Sequence, residues 1–477
     1  MADVDRFVDS YVQAIRDENA AVFAGAGLSI PAGLVDWSTL MRNIADDIGL
    51  SIDRESDLLS VAQFHVNERG GRHGINQALI SEFAERSKLS LNHRLLAALP
   101  IRTYWTTNYD TLLEDALRNA HKRVDVKSTD NSLATTLPRR DAVVYKMHGD
   151  IAHADAAVVT RDDYEAYSTT RPLFGTALQG DLVSKTFLFI GFSFSDPNLS
   201  YLLGRIRQLL GQNRRDHYCL LRRVQRDDFD TQSDYDYARG RQDLQVRDLR
   251  RYGIQGLLVD SYDEYTNVLK RLASRFRRRR VFVSGSAASY APLAESDGQE
   301  LLRSLGARLI DEGLDVVTGF GLGVGPYLLN GVLEGLGRSG TYALHDRVTL
   351  RPFPQGIADE AVRAARWRDY RRDMISTAGI AVFVFGNRTG PHGDVELAAG
   401  VREEFELAAE TGLALVPVGS TGYVARELHE QVMRRYDEVY RDRPQWRERL
   451  AALNEDVDQP TLIERIASLV TAIAKEA

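Results

Sequence analysis

Apolar positions along this 477-residue chain recur with two periods. Residues 4–18 place Val4, Phe7, Val8, Tyr11, Val12 and Ile15 on one helical face. Short apolar runs follow at 21–24, 104–106, 122–127, 142–147, 186–192, 217–221 and 255–259, and they predict strands; the unbroken run at 186–192 predicts a buried parallel strand. Helical spacing fills the gaps: 37–48 (Trp37, Leu40, Met41, Ile44 and Ile48 inward), 56–66, 75–86, 109–119, 163–180 with a break near Pro172, 198–210, part of 225–252, and 262–276. Alternation of this kind predicts a parallel sheet with helices on both faces. At Arg280 the pattern restarts. Strands are expected at 281–286, 314–318, 380–385 and 413–419 and an extended stretch at 349–354, with helices at 294–311, 326–336, 363–376, 394–409 and 459–475. The fold class is therefore α/β, with two Rossmann-like parallel-sheet domains over 1–279 and 280–477 and no internal repeat.

Composition narrows the function classes. Hydrophobic residues make up 44% and charged residues 27%, enough apolar material for two buried cores. A net charge of −7 weighs against a nucleic-acid partner, and the one dense basic block, Arg277–Arg280, reads first as a solvated helix end or linker. Cys219 is the single cysteine, so no disulfide forms within the chain, which suits a reducing cytoplasm. The amino end, Met1 to Arg6, is charged and unlike a signal peptide. No run approaches the ~20 apolar residues of a membrane span. The expected location is cytoplasmic.

The candidate chemistry lies where predicted strands end. The first run breaks into Ala24-Gly25-Ala26-Gly27-Leu28-Ser29, small residues suited to cradle a phosphate at the next turn. The second ends in Asn108 and Asp110, the 142–147 run in His148-Gly149-Asp150, and the 186–192 run passes through Gly191 and Ser193 to Asn198. Each has an ordinary reading: a tight two-glycine turn, a helix cap for Asn108, a structural strand-end histidine. Together and in this order they resemble the sirtuin-like NAD-binding domain, whose later nucleotide-contacting loop falls on Gly191, Ser193 and Asn198. A carboxamide such as Asn108 both donates and accepts, so it can grip ribose hydroxyls or a water. An imidazole near its free pKa of about 6.5 takes a proton from a ribose hydroxyl or water at neutral pH. Asp110 would brace the loop or touch the nicotinamide carboxamide. Sirtuin deacylases carry a Cys₄ zinc ribbon; one cysteine cannot supply four thiolates. The expectation is therefore a site without metal or cofactor, in which NAD is the substrate and water the nucleophile.

The second half offers Ser284-Gly285-Ser286 and Gly319-Phe320-Gly321-Leu322-Gly323-Val324-Gly325, two turns that together make an anion pocket at helix starts. They resemble the SLOG branch of Rossmann-like domains. Arg371-Arg372, Arg388 and Glu403-Glu404 follow. Arginine forks suit phosphates and a glutamate suits ribose hydroxyls; a solvated basic helix face is the ordinary reading of Arg371 and Arg372. No His or Cys follows either turn, so this domain is expected to bind and regulate. Sirtuin-like then SLOG, with these strings, resembles the ThsA effectors of the Thoeris anti-phage system over essentially the whole chain. The resemblance implies a homotetrameric NAD hydrolase with no nucleic-acid or membrane partner. It would be switched on by a cyclic ADP-ribose isomer from a TIR-domain protein. It puts catalysis on Asn108 and His148, NAD binding on Ala24, Gly25, Ala26, Ser29, Asp110, Gly191, Ser193 and Asn198. Activator contacts fall on Ser284, Gly285, Ser286, Gly321, Leu322, Gly323, Arg371, Glu404 and, where the family has a lysine nearby, Arg388. Two rivals stand beside it: a non-enzymatic nucleotide sensor, and an NAD-dependent ADP-ribosyl transferase or deacylase.

Overall fold

β1 (Ala20–Ala24) is buried at all five positions and lies at the centre of a seven-stranded sheet. The computed structural model describes residues 2–34, 37–83, 88–192, 194, 197–211, 215–340, 344–354, 356, 358–440 and 443–476. The chain divides into two units, Met1–Ala273 and Ser274–Ala477.

The other strands of the first unit are β2 (Thr103–Thr106), β3 (Val124–Lys127), β4 (Ala142–Lys146), β5 (Thr186–Ile190), β6 (His217–Arg222) and β7 (Ile254–Val259). Their order is β3-β4-β2-β1-β5-β6-β7, and every pairing is parallel. The chain builds outward from β1 on one side, then returns to build the other. That reversal opens a crevice at the carboxyl ends of the central strands. Phe23, Phe187 and Phe189 stack across β1 and β5, with centroids 5.4 and 5.7 Å apart. Trp105 lies on Tyr145 at 4.3 Å and donates from Nε1 to Asp181 at 2.8 Å. The helix Ala2–Arg16 is pinned to β1 by Tyr11, whose hydroxyl donates to the carbonyl of Ala21 at 2.7 Å. Helices Trp37–Asp47, Leu58–Arg69 and His73–Phe83 make a separate apolar cluster that also packs Tyr109 and Val159, residues of the loops above the crevice.

In the second unit β8 (Arg280–Ser286), β9 (Asp315–Thr318), β10 (Val348–Leu350), β11 (Ile380–Phe385) and β14 (Ala414–Pro417) form a parallel sheet in the order β10-β9-β8-β11-β14. β12 (Asn387–Thr389) and β13 (Val395–Leu397) form a small antiparallel pair.

Three expectations need correction. The phosphate cradle expected after Gly25 has no α-helix start behind it; Ala26–Leu28 and Ile30–Ala32 are short 3-10 turns, the second containing Pro31. The helix expected from Tyr109 begins at Leu112, because the Asp110 carboxylate accepts from the amide of Leu112 at 3.0 Å. Residues 394–409 are not one helix. Gly393 takes φ +82 and the amide of Gly390 donates to the carbonyl of Asp394 at 2.7 Å, which closes the hairpin; the helix starts at Ala399. Helices Leu91–Ala98 and Tyr423–Arg434 lay outside the sequence reading.

His217 in β6 is buried, and its Nδ1 accepts from the amide of Phe187 at 3.2 Å, so that nitrogen carries no proton. Burial first and Arg215 second hold its pKa down to about 4, against 6.5 for an ordinary histidine. Between those values the unfolded chain binds a proton that the folded chain refuses. The stability effect is absent above pH 6.5 and grows as pH falls, reaching about 2 kcal/mol at pH 5. Urea midpoints at pH 7 and pH 5 should therefore separate less in His217→Asn than in the wild type.

Candidate active site

The adjacent parallel strands β4, β2, β1 and β5 end at one cleft of about 490 Å³, lined among others by Gly25, Ser29, Asn108, Asp110, His148 and Gly191. The turn after β1 is shaped by backbone contact. The amides of Gly25 and Gly27 donate to the carbonyls of Ile190 and Gly191, both at 2.9 Å. A Cβ on Gly27 would lie 2.9 Å from Gly191 Cα, and one on Gly25 would collide with the Gly191 carbonyl. Gly191 itself takes φ +65. These glycines bring β1 and β5 together at the crevice floor. The amides of Leu28 and Ser29 are bound to the carbonyls of Gly25 and Ala26. The expected cradle of ligand-facing amides is thus occupied by internal bonds at Gly27, Leu28 and Ser29.

Side chains, rather than those amides, make the polar floor. Asn108 Nδ2 donates to the Gly25 carbonyl at 3.1 Å and to Ser29 Oγ at 3.2 Å. Ser29 Oγ donates to Asp110 Oδ2 at 2.9 Å. Asn108 is therefore not the helix cap: the cap position is Thr111, Asp110 accepts from the Leu112 amide beside it, and the carboxamide turns to the segment after β1. His148 follows β4 on the strand next to β2, in register through Thr106 and Lys146. It is buried, Gly149 beyond it takes φ +97, and the Tyr164 hydroxyl lies 3.4 Å from its Nδ1. The Tyr164 ring meets the imidazole edge-on with centroids 5.2 Å apart.

Beneath both loops lies Lys146, wholly buried. Its ammonium donates to the carbonyls of Tyr109 at 3.1 Å and Asp110 at 2.6 Å. It also pairs with Glu114 at 2.9 Å and Asp150 at 2.7 Å. Burial alone would lower its pKa, but the two carboxylates push it above the ordinary lysine value. Burial raises Glu114, and Lys146 offsets part of that. One cation thus ties the segment after Asn108 to the segment after His148.

Ala24 is buried in β1 and its carbonyl accepts from Thr107; it lies apart from the cleft wall. Ser193 lies outside the described residues, as does the side chain of Asn198, which stands in the helix Pro197–Leu210. Sequence reasoning did not single out Lys146, Tyr164, Arg222, Tyr262 or Tyr265. The last four line the cleft, Arg222 from the end of β6 and the three tyrosines from helices. Tyr265 is buried, accepts from the amide of Gly191 at 2.7 Å and donates to the carbonyl of Leu220 at 3.1 Å. A lysine inside an apolar strand is the one signal that was available.

In the second unit Ser284 Oγ donates to Glu404 Oε2 at 2.6 Å, and Arg371 meets Glu404 at 3.4 Å and Glu403 at 2.6 Å. Burial raises the Glu404 pKa, and Ser284 and Arg371 only partly offset it. Arg371 is buried, with Phe353 4.7 Å beneath its guanidinium, so it is no solvated helix face. The two glycine turns touch: a Cβ on Gly321 would strike the Gly285 carbonyl, and one on Gly323 the Ala287 carbonyl. The amide of Ala287 donates to the Leu322 carbonyl at 2.8 Å, while the Leu322 side chain is 86% exposed. Ser286 donates to the carbonyl of Asn387 at 2.9 Å, beside Arg388, which pairs with Glu396 on the hairpin at 3.0 Å. Asn387, also missed, is fully buried; its Oδ1 accepts from the amides of Ala288 and Ser289.

Fold and site define a SIR2-like domain followed by a SLOG domain. The SIR2-like domain family matches residues 102–242, and the Sir2- and TIR-associating SLOG family matches 264–473. The chain belongs to the family of ThsA NAD(+) hydrolases. It is 44% identical over 438 residues to NAD(+) hydrolase ThsA of Bacillus cereus (strain MSX-D12), covering 92% of this chain and 91% of that one. It is 42% identical to the protein of that name from Acinetobacter baumannii (strain 532279), covering 98% of each. A shorter likeness, 24% over 211 residues, joins it to Defense-associated sirtuin 2 of Bacillus subtilis, across 42% of this chain and 20% of that one.

Replacing Lys146 by Met strands Glu114 and Asp150 around a vacated charge. Lys146→Met should lower stability in urea by about 3–5 kcal/mol. Lys146→Met/Glu114→Gln, which removes one of the stranded carboxylates, should recover part of the loss.

Proposed function

We propose that the first unit hydrolyses NAD to nicotinamide and ADP-ribose. The observation that carries this reading is the placement of Asn108, Asp110 and His148 on two adjacent strand-end loops that line one cleft. Water adds to the anomeric carbon as the bond to the nicotinamide nitrogen breaks, nicotinamide leaves neutral, and one proton is released. The sugar passes through an oxocarbenium-like state. His148 takes the proton from the attacking water or from a ribose hydroxyl. Asn108 holds the ribose or the water, its orientation set by Gly25 and Ser29. Asp110 places a carboxylate beside the cationic pyridinium or its carboxamide. Kinship with NAD(+) hydrolases over nearly the whole chain supports the substrate.

The second unit, in this proposal, binds a cyclic ADP-ribose isomer and gates the first. Arg371 supplies the phosphate contact, with the Gly285 and Gly323 turns around it, Glu404 toward ribose, and Arg388 as a further basic contact. The name of the matched family, Sir2- and TIR-associating, supports a TIR-domain protein as the source of the ligand. Glu403 and Glu404 already neutralise Arg371. A phosphate ligand must compete with them, and it shifts activity only if it binds one conformational state better than the other. Homotetrameric assembly belongs to the same reading. A non-enzymatic sensor would bind NAD and release nothing.

The deciding experiment follows nicotinamide release from NAD by the full chain, with and without cyclic ADP-ribose isomers. Release should require or strongly increase with one isomer; no release with any of them overturns the proposal. His148→Ala and Asn108→Ala should each lower turnover by about 10²- to 10⁴-fold with the circular-dichroism spectrum unchanged. Arg371→Ala should raise the isomer concentration needed for half-activation by about tenfold or more.

A further inference from the structure

The cleft is electrically lopsided. Among its described lining residues Asp110 is the sole carboxylate and Arg222 the sole lysine or arginine. They stand at opposite sides: Asp110 follows β2, and Arg222 ends β6. With β1 and β5 between them, the two strands are three spacings apart, about 14 Å. A dinucleotide laid along this edge with its cationic ring at Asp110 brings its adenosine half to Arg222. Tyr262 stands at the same corner, 54% exposed, with the Arg222 guanidinium 5.5 Å from its ring centroid. Its ring offers a platform for a base.

Arg222 is not simply presented to a ligand. Both terminal nitrogens donate to Asp228, Nη1 to Oδ2 at 2.8 Å and Nη2 to Oδ1 at 2.6 Å. Asp228 Oδ2 also accepts from the amide of Gln225 at 2.8 Å, which fixes the carboxylate in the turn after β6. A cation at the adenosine ribose favours a 2′-phosphate, whereas a carboxylate there favours a free 2′-hydroxyl. Here the carboxylate occupies the fork that a phosphate would need, and adds like-charge repulsion.

We propose that Asp228, through its bidentate hold on Arg222, is the residue that makes this cleft select NAD over its 2′-phosphorylated counterpart. The inference rests on the NAD reading of the cleft and deepens it. Asp228 is a specificity residue; it takes no part in bond cleavage.

The test reads binding, which needs no turnover, and is run with the activating cyclic ADP-ribose isomer at saturation, so that the second unit's site is filled and the first unit is in its active state. Calorimetry on the full chain compares ADP-ribose with 2′-phospho-ADP-ribose. The wild type should prefer ADP-ribose. Asp228→Asn keeps the shape and removes the charge, and should shift the preference toward the 2′-phosphate by about fivefold or more. Asp228→Asn/Arg222→Gln should abolish that gain. A smaller shift in Asp228→Asn, or a gain that survives in the double variant, overturns the proposal while leaving the NAD reading intact. A loss of ADP-ribose affinity in Arg222→Gln of about tenfold or more also overturns it, by placing the guanidinium on the pyrophosphate. Binding of neither nucleotide by the wild type overturns both readings together.

Discussion

A single buried ammonium governs the geometry of the first unit's cleft. Lys146 has no exposed surface, and an unpaired charge in that position would be prohibitively costly. It is tolerated because two carbonyls and two carboxylates surround it. Those four groups come from the loop after β2, the helix after it, and the loop after β4. Satisfying the lysine therefore sets the position of Asn108 relative to His148. The amide of Ile151 donates to the Tyr109 carbonyl at 3.2 Å and closes the same junction from the other side. Asn108 and His148 are thus held by a neighbour that lies outside the cleft lining.

The second unit uses a buried charge differently. Arg371 is shared between Glu403 and Glu404, and Glu404 is shared between Arg371 and Ser284. Burial disfavours the ionised Glu404, while its bonds to Ser284 and Arg371 favour it. An anionic ligand entering such a cluster changes several partners at once. Lys146, by contrast, is saturated by groups that a ligand cannot replace. One arrangement suits rigid positioning and the other suits response, and the chemistry of the surrounding oxygens makes the difference.

Glycine has the same double character here. The residues of the Gly25–Gly27 turn invite a phosphate-cradle interpretation, yet their missing side chains are required first by Gly191, whose backbone fills the space. The Gly321 and Gly323 turn meets the Gly285–Ala287 segment in the same manner. Close approach of two strand ends narrows the crevice, and the crevice is what a ligand meets. The glycines therefore serve packing first.

Strand and helix periodicity is a local property, so the chain alone determined the alternating α/β pattern, the restart near Arg280 and the polar strand ends carrying Asn108, Asp110 and His148. Local periodicity also failed where a turn overrides it, as at Gly390–Gly393, where a hairpin replaces the expected helix start. Side-chain partnership is not local. Asn108 reads as a helix cap until Gly25 and Ser29, about eighty positions earlier, are seen to take its amide. Arg371 reads as surface until the helix carrying Glu403 and Glu404 covers it. Tyr164, Arg222 and Tyr262 carry no motif; they reach the cleft because β4, β6 and β7 all end on one edge of a sheet whose order departs from the order of the chain. Only the tertiary structure decides such encounters, because burial and hydrogen-bond satisfaction are settled between segments that the sequence keeps apart.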